Sequence, residues 1–250
     1  MYQIDRWIIT FAWYKVIQNR VMALIIISID TESTTLKKYI DYGGKVALIE
    51  SNFRLNHTII TETDYLGAAQ LAVDYLVEKG HRKIAFLTAP LTKTYRRSIL
   101  VGVEEAIKEY GILFTEKDIF IATNETESET GVYEFFLGRQ LVDLFFQSKA
   151  NYTAIIAIND LTAFGIIQAL NQRGVSVPQD ISLISFDNII YSEMVSPALT
   201  TVELPSRSMG ASVCSMLLDS ISNTNDKLTD VIFRFEGRFV ERESVRKISR

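Results

Sequence analysis

Between residues 152 and 205 two apolar runs each stop abruptly at a polar pair, and this arrangement constrains the fold more than any other feature of the chain. Ala154-Ile155-Ile156-Ala157-Ile158 ends in Asn159-Asp160, and Ile181-Ser182-Leu183-Ile184-Ser185-Phe186 ends in Asp187-Asn188. Between them lie an amphipathic helical pattern, the helix-stopping Gly174 and the turn Val177-Pro178-Gln179-Asp180. Short, mostly β-branched runs buried on both faces are the mark of parallel strands. Hydrogen-bonding side chains at their ends are how an open α/β sheet builds a ligand crevice along its carboxyl edge. The pattern points to recognition of a small polar molecule.

The same alternation extends over most of the chain. Strands are expected over residues 23–28, 45–49, 83–88, 119–123, 154–158 and 182–186, with helices over 64–79, 98–110, 131–147 and 160–173. In the first of these helices Leu66, Ala69, Ala72, Val73, Leu76 and Val77 share one face and Gly80 closes it. Such a series predicts a mainly parallel sheet with helices on both sides. The tail departs from it: an extended Thr200-Thr201-Val202, a helix over 207–221, then strands over 231–235 and 238–240. Residues 5–19 read as an amphipathic helix with no strand before it, although a helix at the head of such a unit needs a sheet to lie on. The polar stretches 124–130 and 220–230 read as surface connections.

Composition excludes several function classes. A chain of 250 residues can bury a substantial core, as one large domain or two smaller lobes. Its formal net charge of -4 supplies no bulk positive field for nucleic acid or an acidic membrane. The basic residues near the end (Arg234, Arg238, Arg242, Arg246, Lys247, Arg250) are interleaved with Glu236, Glu241 and Glu243, which reads as a solvated face. The apolar runs over 7–14 and 21–27 fall far short of the roughly 20 residues a membrane helix needs. The first lacks the flanks of a secretory leader, so a soluble, cytoplasmic protein is expected. Cys214, the single cysteine, rules out an intrachain disulfide and is expected to be buried on the late helix. His57 and His81 stand far apart without ligand spacing, so no metal is expected, and no cofactor is implied. There is no G-x-G-x-x-G after a strand, no phosphate-binding G-x-x-x-x-G-K-[ST] and no G-x-S-x-G. Glu104 and Glu105 are adjacent on a helix and point apart. No catalytic residues are assigned and an enzyme is not expected.

Several motifs, taken in order, resemble the effector-binding core of the lac repressor/gal repressor family of bacterial transcription regulators, whose fold is shared with type I periplasmic sugar-binding proteins. They are Gly80-His81-Arg82-Lys83-Ile84-Ala85-Phe86, Gly102 with Ala106, and the stretch from Asn159 to Gly165. Further on come Val177-Pro178-Gln179-Asp180 with the strand to Asn188, Pro197-Ala198-Leu199-Thr200-Thr201-Val202, and Val240-Glu241-Arg242-Glu243-Ser244. Each alone is weak; their order over residues 21–245 makes the resemblance specific. It implies an α/β, two-lobed, periplasmic-binding-protein-like (type I) architecture of parallel sheets flanked by helices, with three chain crossings between lobes. Carried onto this chain, residues 1–82 with 205–232 form one lobe, and 83–204 with 233–250 the other, which places the late helix far in sequence from the rest of its lobe. The family's first strand, first helix and second strand have no counterpart here, nor does its helix-turn-helix, so the first lobe is expected to be incomplete.

The resemblance also implies effector contacts. Asp187 matches the family's aspartate at a strand end, where an ionised carboxylate grips a sugar diol or a purine N–H; its alternative is to cap a turn. Asn159 can donate to and accept from a hydroxyl, but Asn159-Asp160 also reads as the N-cap of the next helix. Arg97 lies five residues before Gly102 at a loop-to-helix boundary, its fork suited to vicinal hydroxyls or a carboxylate. Many relatives carry an arginine three before that glycine, where this chain has Ile99. Arg96 and Lys93 therefore compete with Arg97, and each could be plain surface. Tyr95, Tyr191 and Phe186 are candidates to stack on a ring, with core packing the alternative for Phe186. Ser185 stands where a glycine is common and adds a side chain beside Asp187, narrowing the pocket. His81, after a helix-ending glycine, reads as a turn residue.

The function implied is sensing of a small sugar-like metabolite by the ligand-binding module of a regulator, a repressor. The full-length relative would be a homodimer and would touch DNA only through a domain this chain does not contain. The alternative within the same fold is the solute-binding protein of a sugar ABC transporter.

Overall fold

The computed structural model describes residues 16, 18–27, 34–51, 53–123, 133–222 and 230–248. The helix expected over 5–19 and the loop over 124–130 fall almost wholly outside them. The chain forms two compact units, residues 1–63 with 205–235, and residues 64–204 with 236–250.

The first unit is built on four parallel strands in the order β1-β2-β3-β9, namely β1 (Ala23–Ile27), β2 (Lys45–Ile49), β3 (Thr58–Thr63) and β9 (Val231–Phe235). Helix α1 (Thr34–Asp41) lays Leu36 and Tyr39 on one face of this sheet, against Val46, Leu48 and Ile60. The other face, Ala47, Ile49 and Ile59, is covered by Met209, Val213 and Leu217 of the late helix α6 (Ser206–Ser222). Those three recur every fourth residue, one stripe of a helix. Cys214 falls just off that stripe and is exposed, so the expectation of a buried thiol is corrected.

The second unit carries a six-stranded sheet in the order β10-β8-β7-β6-β4-β5. Its strands are β4 (Ile84–Thr88), β5 (Ile119–Ile121), β6 (Ala154–Ala157), β7 (Ser182–Phe186), β8 (Thr200–Glu203) and β10 (Arg238–Val240). All neighbours run parallel except β10, which closes one edge antiparallel to β8. Alternate residues feed opposite cores, as the pleat dictates. Ile84, Phe86, Ile156, Ile184 and Phe186 meet helices α2 (Tyr65–Glu78) and α3 (Thr94–Glu109). Ala85, Leu87, Ile155, Ala157 and Leu183 meet α4 (Tyr133–Gln147) and α5 (Asp160–Gln172).

Two differences from the sequence reading have clear causes. The first unit ends at Thr63 rather than near residue 82, because α2 buries its alanine-rich face on the second sheet and on α3. There a Cβ on Gly102 would lie 2.7 Å from Ala69 Cβ, so only glycine lets these two helices approach. Strand β3 was not anticipated, since Thr58-Ile59-Ile60-Thr61-Glu62-Thr63 shows neither an apolar run nor alternation. Pairing on both sides, with β2 and β9, buries Thr58 and Thr61 completely.

Candidate functional site

In the second sheet the chain goes from β4 outward to β5, then returns to the other side of β4 to lay down β6, β7 and β8. The reversal lies between β4 and β6, and a crevice opens at the carboxyl ends of the strands flanking such a point. The segments leaving those ends carry nearly every residue picked from the sequence. The register pairs Ala154 with Ser182 and Ile156 with Ile184, and Asn159 and Asp187 follow the carboxyl ends of these two paired strands.

Asn159 is the N-cap of α5. Its backbone is extended (φ -161°) and its Oδ1 accepts from Thr162 N at 3.0 Å, which supplies an otherwise orphaned helix donor. Its side-chain amide N–H groups have no partner among the described residues. Asp160, the first helical residue, is fully buried and serves the scaffold. Its carboxylate accepts from Ser185 Oγ at 2.5 Å, Ser192 Oγ at 2.5 Å, Thr201 Oγ1 at 2.8 Å and Ile189 N at 2.9 Å. Burial pushes its pKa up, against the lowering effect of the four donors. Ser185 is completely buried and its hydroxyl is committed to Asp160, so the added side chain does not narrow a pocket.

Asp187 follows β7 on a half-buried bend. Its φ of +112° and the +56° of Asn188 are left-handed values that side-chain-bearing residues adopt at a cost. Its N–H donates to Val202 O at 3.0 Å. Arg242 holds the bend from outside, donating to Asn188 Oδ1 at 2.7 Å and Leu199 O at 2.8 Å. Asp160 holds it from beneath through Ile189 and Ser192. The Asp187 carboxylate itself accepts no hydrogen bond from any described residue. Burial, with the negative charges of Asp160 and Glu134, drives its pKa well above the usual carboxylate range.

The α3 candidates are placed differently from one another. The helix starts at Thr94, four residues earlier than expected, so Tyr95, Arg96 and Arg97 lie in its first turn and Lys93 is its N-cap, exposed and without a side-chain capping bond. Arg96 is 1% exposed and donates to Pro90 O at 2.9 Å, Tyr95 Oη at 3.1 Å and Tyr133 Oη at 2.7 Å, with Glu134 Oε1 at 3.6 Å. It therefore welds the β4–α3 connection to α4. Arg97 is exposed and folds back onto Thr92 O at 2.9 Å, Leu91 O and Thr94 Oγ1. Ile99 is fully buried in the core, as is Phe186, which leaves no ring face open for stacking. Tyr95 is half-buried, burial pushing its pKa up to about 12, and Tyr191 is exposed. His81 is more than a turn residue. Completely buried, it joins Thr153 Oγ1 at 2.9 Å to Arg246 O at 3.0 Å.

Two cavities lie elsewhere. One of about 350 Å³, lined by Lys37, Arg54 and His57, opens at the amino end of β3, the wrong end of a parallel sheet for a crevice. One of about 320 Å³ lies in the groove between α4 and α5, beside Arg139, Asp143 and Arg173. No group of three or more His, Cys, Asp and Glu among the described residues is placed to hold a metal. No helix among them is long and apolar enough to cross a membrane.

A family model described as a periplasmic binding protein-like domain matches residues 73–245. The chain is 35% identical over 175 residues to the HTH-type transcriptional repressor PurR of Klebsiella pneumoniae subsp. pneumoniae, covering 70% of this chain and 48% of that one. It is 32% identical over 232 residues to the HTH-type transcriptional repressor PurR of Photorhabdus laumondii subsp. laumondii, covering 91% and 64%. The chain thus spans about half the length of several of the curated relatives it matches. Among solved structures, a transcription regulator from Lactobacillus plantarum superposes with TM-score 0.80 at 23% identity, covering 95% of this chain and 86% of that one. A sugar-binding transcriptional regulator of the LacI family from Escherichia coli, complexed with phosphate, superposes with TM-score 0.78 at 25% identity, covering 98% and 82%. The chain belongs to the periplasmic binding protein-like domain family, as does the effector-binding core of lac repressor/gal repressor-type transcription regulators, to which it is similar.

Proposed function

We propose that this chain senses a small hydrophilic effector, a sugar or related metabolite, for a transcription regulator of repressor type, with Asp187 and Asn159 as the effector contacts of the second unit. The observation that carries the reading is the state of Asp187. It stands at the end of β7, one strand away from the sheet's reversal point, in a costly backbone conformation braced on two sides, with a carboxylate that no described residue satisfies. Strained backbone and perturbed carboxyls cluster at binding sites, which supports a ligand role for it. The free amide of Asn159, the N-cap that follows the neighbouring strand β6, adds a donor. Lys93, exposed at the N-terminus of α3, is the third contact we assign.

In the whole regulator the effector acts through its different affinities for two global states, and so shifts dimer and DNA-reading geometry between them. The relatives named above are regulators, one of them described as sugar-binding, which favours this reading over a transport protein; a regulator of this kind works in the cytoplasm, where its DNA would be.

The test is a thermal-shift screen of the chain against sugars, nucleobases and sugar phosphates, repeated with Asp187→Ala. A ligand that raises the wild-type melting temperature should leave the variant unmoved while its cooperative transition persists. An undiminished shift in the variant removes Asp187 from the site.

A further inference from the structure

The charge inventory around Asp187 bears on which hydrophilic molecules can dock there, granted that the edge binds an effector at all. The charges of two carboxylates act on it, Asp160 from α5 and Glu134 from α4, the latter 3.6 Å from the Arg96 guanidinium. Cations are present on the neighbouring elements, but their donors are spent. Arg96 is buried among Pro90 O, the Tyr95 and Tyr133 hydroxyls and Glu134. Arg97 is folded onto its own loop. Arg242 is held by Asn188 and Leu199, and Arg238 by Glu203. The helix position three before Gly102 is the buried, apolar Ile99.

An anion brought to this edge would meet the open acceptors of the Asp187 carboxyl with Asp160 behind it, and among the described residues it would find the guanidinium donors of Arg96, Arg97 and Arg242 already engaged. We propose that the Asn159–Asp187 edge selects by charge, accepting hydroxyl-bearing or protonated-amine ligands and rejecting those that present a phosphate or carboxylate to it. A protonated amine would form a charge-assisted hydrogen bond with the Asp187 carboxylate, whereas a neutral hydroxyl makes an ordinary one. Lys93 is the side chain through which an anion could still be held.

Isothermal titration calorimetry on the full chain distinguishes the cases. The probes are ribose, glucose, galactose and fructose, each with its monophosphate, together with glucosamine and galactosamine. For a sugar that binds, the monophosphate should bind at least tenfold more weakly. An amine counterpart should bind at least as tightly. Asp187→Asn should abolish the amine's advantage. A monophosphate that binds as well as or better than its parent overturns the charge selection and leaves the proposed function standing. Binding of the amine unchanged by Asp187→Asn overturns it too. Silence across the whole panel in the wild type sinks both.

Discussion

The carboxylate of Asp160 accepts four hydrogen bonds, whereas that of Asp187, close enough to feel its charge, accepts none from any described residue. One acid is built into the scaffold and its neighbour is left with its acceptors open. Asp160 ties β7, β8 and the bend of residues 187–192 into one body, and that body is what presents Asp187.

If Asp187 is kept for a ligand, it should weaken the unliganded fold. Its pKa is raised in the folded state, so folding holds the proton longer than the unfolded chain does. That contribution is fully present below the ordinary carboxylate range and is lost as pH rises toward the raised value. Asp187→Asn removes the loss. At pH 8 the variant should be more stable by about 1 kcal/mol, a rise of roughly 2–4 °C in melting temperature. At pH 4 the two should melt together. A variant less stable at pH 8 would mean that the carboxylate is compensated within the fold.

Asp160 should behave in the opposite way. Asp160→Ala strands two serine hydroxyls, the Thr201 hydroxyl and the Ile189 N–H in a dry interior, and we expect a cost of about 3 kcal/mol or more. Ser185→Ala removes a single donor and should cost about 1 kcal/mol. Urea denaturation of the two variants would show the contrast; equal midpoints would mean that the network contributes little.

The elements that build this site were legible because each is local. Strand β7 is five apolar or small residues between a turn and a polar pair, and α5 begins at a capping residue and stops at Gly174, whose φ is +72°. What local pattern could not show was which member of Asn159-Asp160 caps and which is buried. That depends on Ser185, Ser192 and Thr201, which lie 25 to 41 residues away in sequence. The same holds for Arg96, whose partner Tyr133 is 37 residues off. Adjacent arginines look alike in sequence and differ once α4 packs. His81 was read as a turn residue for the same reason, since its partners sit 72 and 165 positions away.

His81 gives a pH signature of its own. Burial lowers its pKa, so the unfolded chain takes up the proton first as pH falls. The stabilisation is present above the ordinary histidine range and is lost as pH drops through that range toward the depressed value. This component should lower the melting temperature between pH 7 and 5, against the rise that Asp187 contributes. His81→Gln, less stable overall for losing a shaped buried contact, should lack that component of the slope. Parallel slopes in both proteins would assign the pH dependence to other groups.

The helix that carries Asn159 and Asp160 is positioned by glycines rather than by large side chains. A Cβ on Gly165 would lie 2.0 Å from Phe135 O and 3.2 Å from Arg139 N, and one on Gly138 would lie 2.1 Å from Thr162 O. At these spacings α4 and α5 are in backbone contact, and no rotamer change can relieve an added methyl. Gly165→Ala must push the helices apart, at about 3 kcal/mol by the scale of overpacked cores. The displacement acts on the helix whose first turn bears the site, so effector binding should weaken together with stability. Gly210→Ala is the control: it lies in α6 with nothing within 4 Å of the new Cβ, and it should stabilise by roughly 0.5–1 kcal/mol through helix propensity alone. Calorimetric melts of both variants read the two signs directly. A Gly165→Ala protein as stable as the wild type would show that α4 and α5 can separate freely, and the fixed placement of Asn159 and Asp160 would lose its basis.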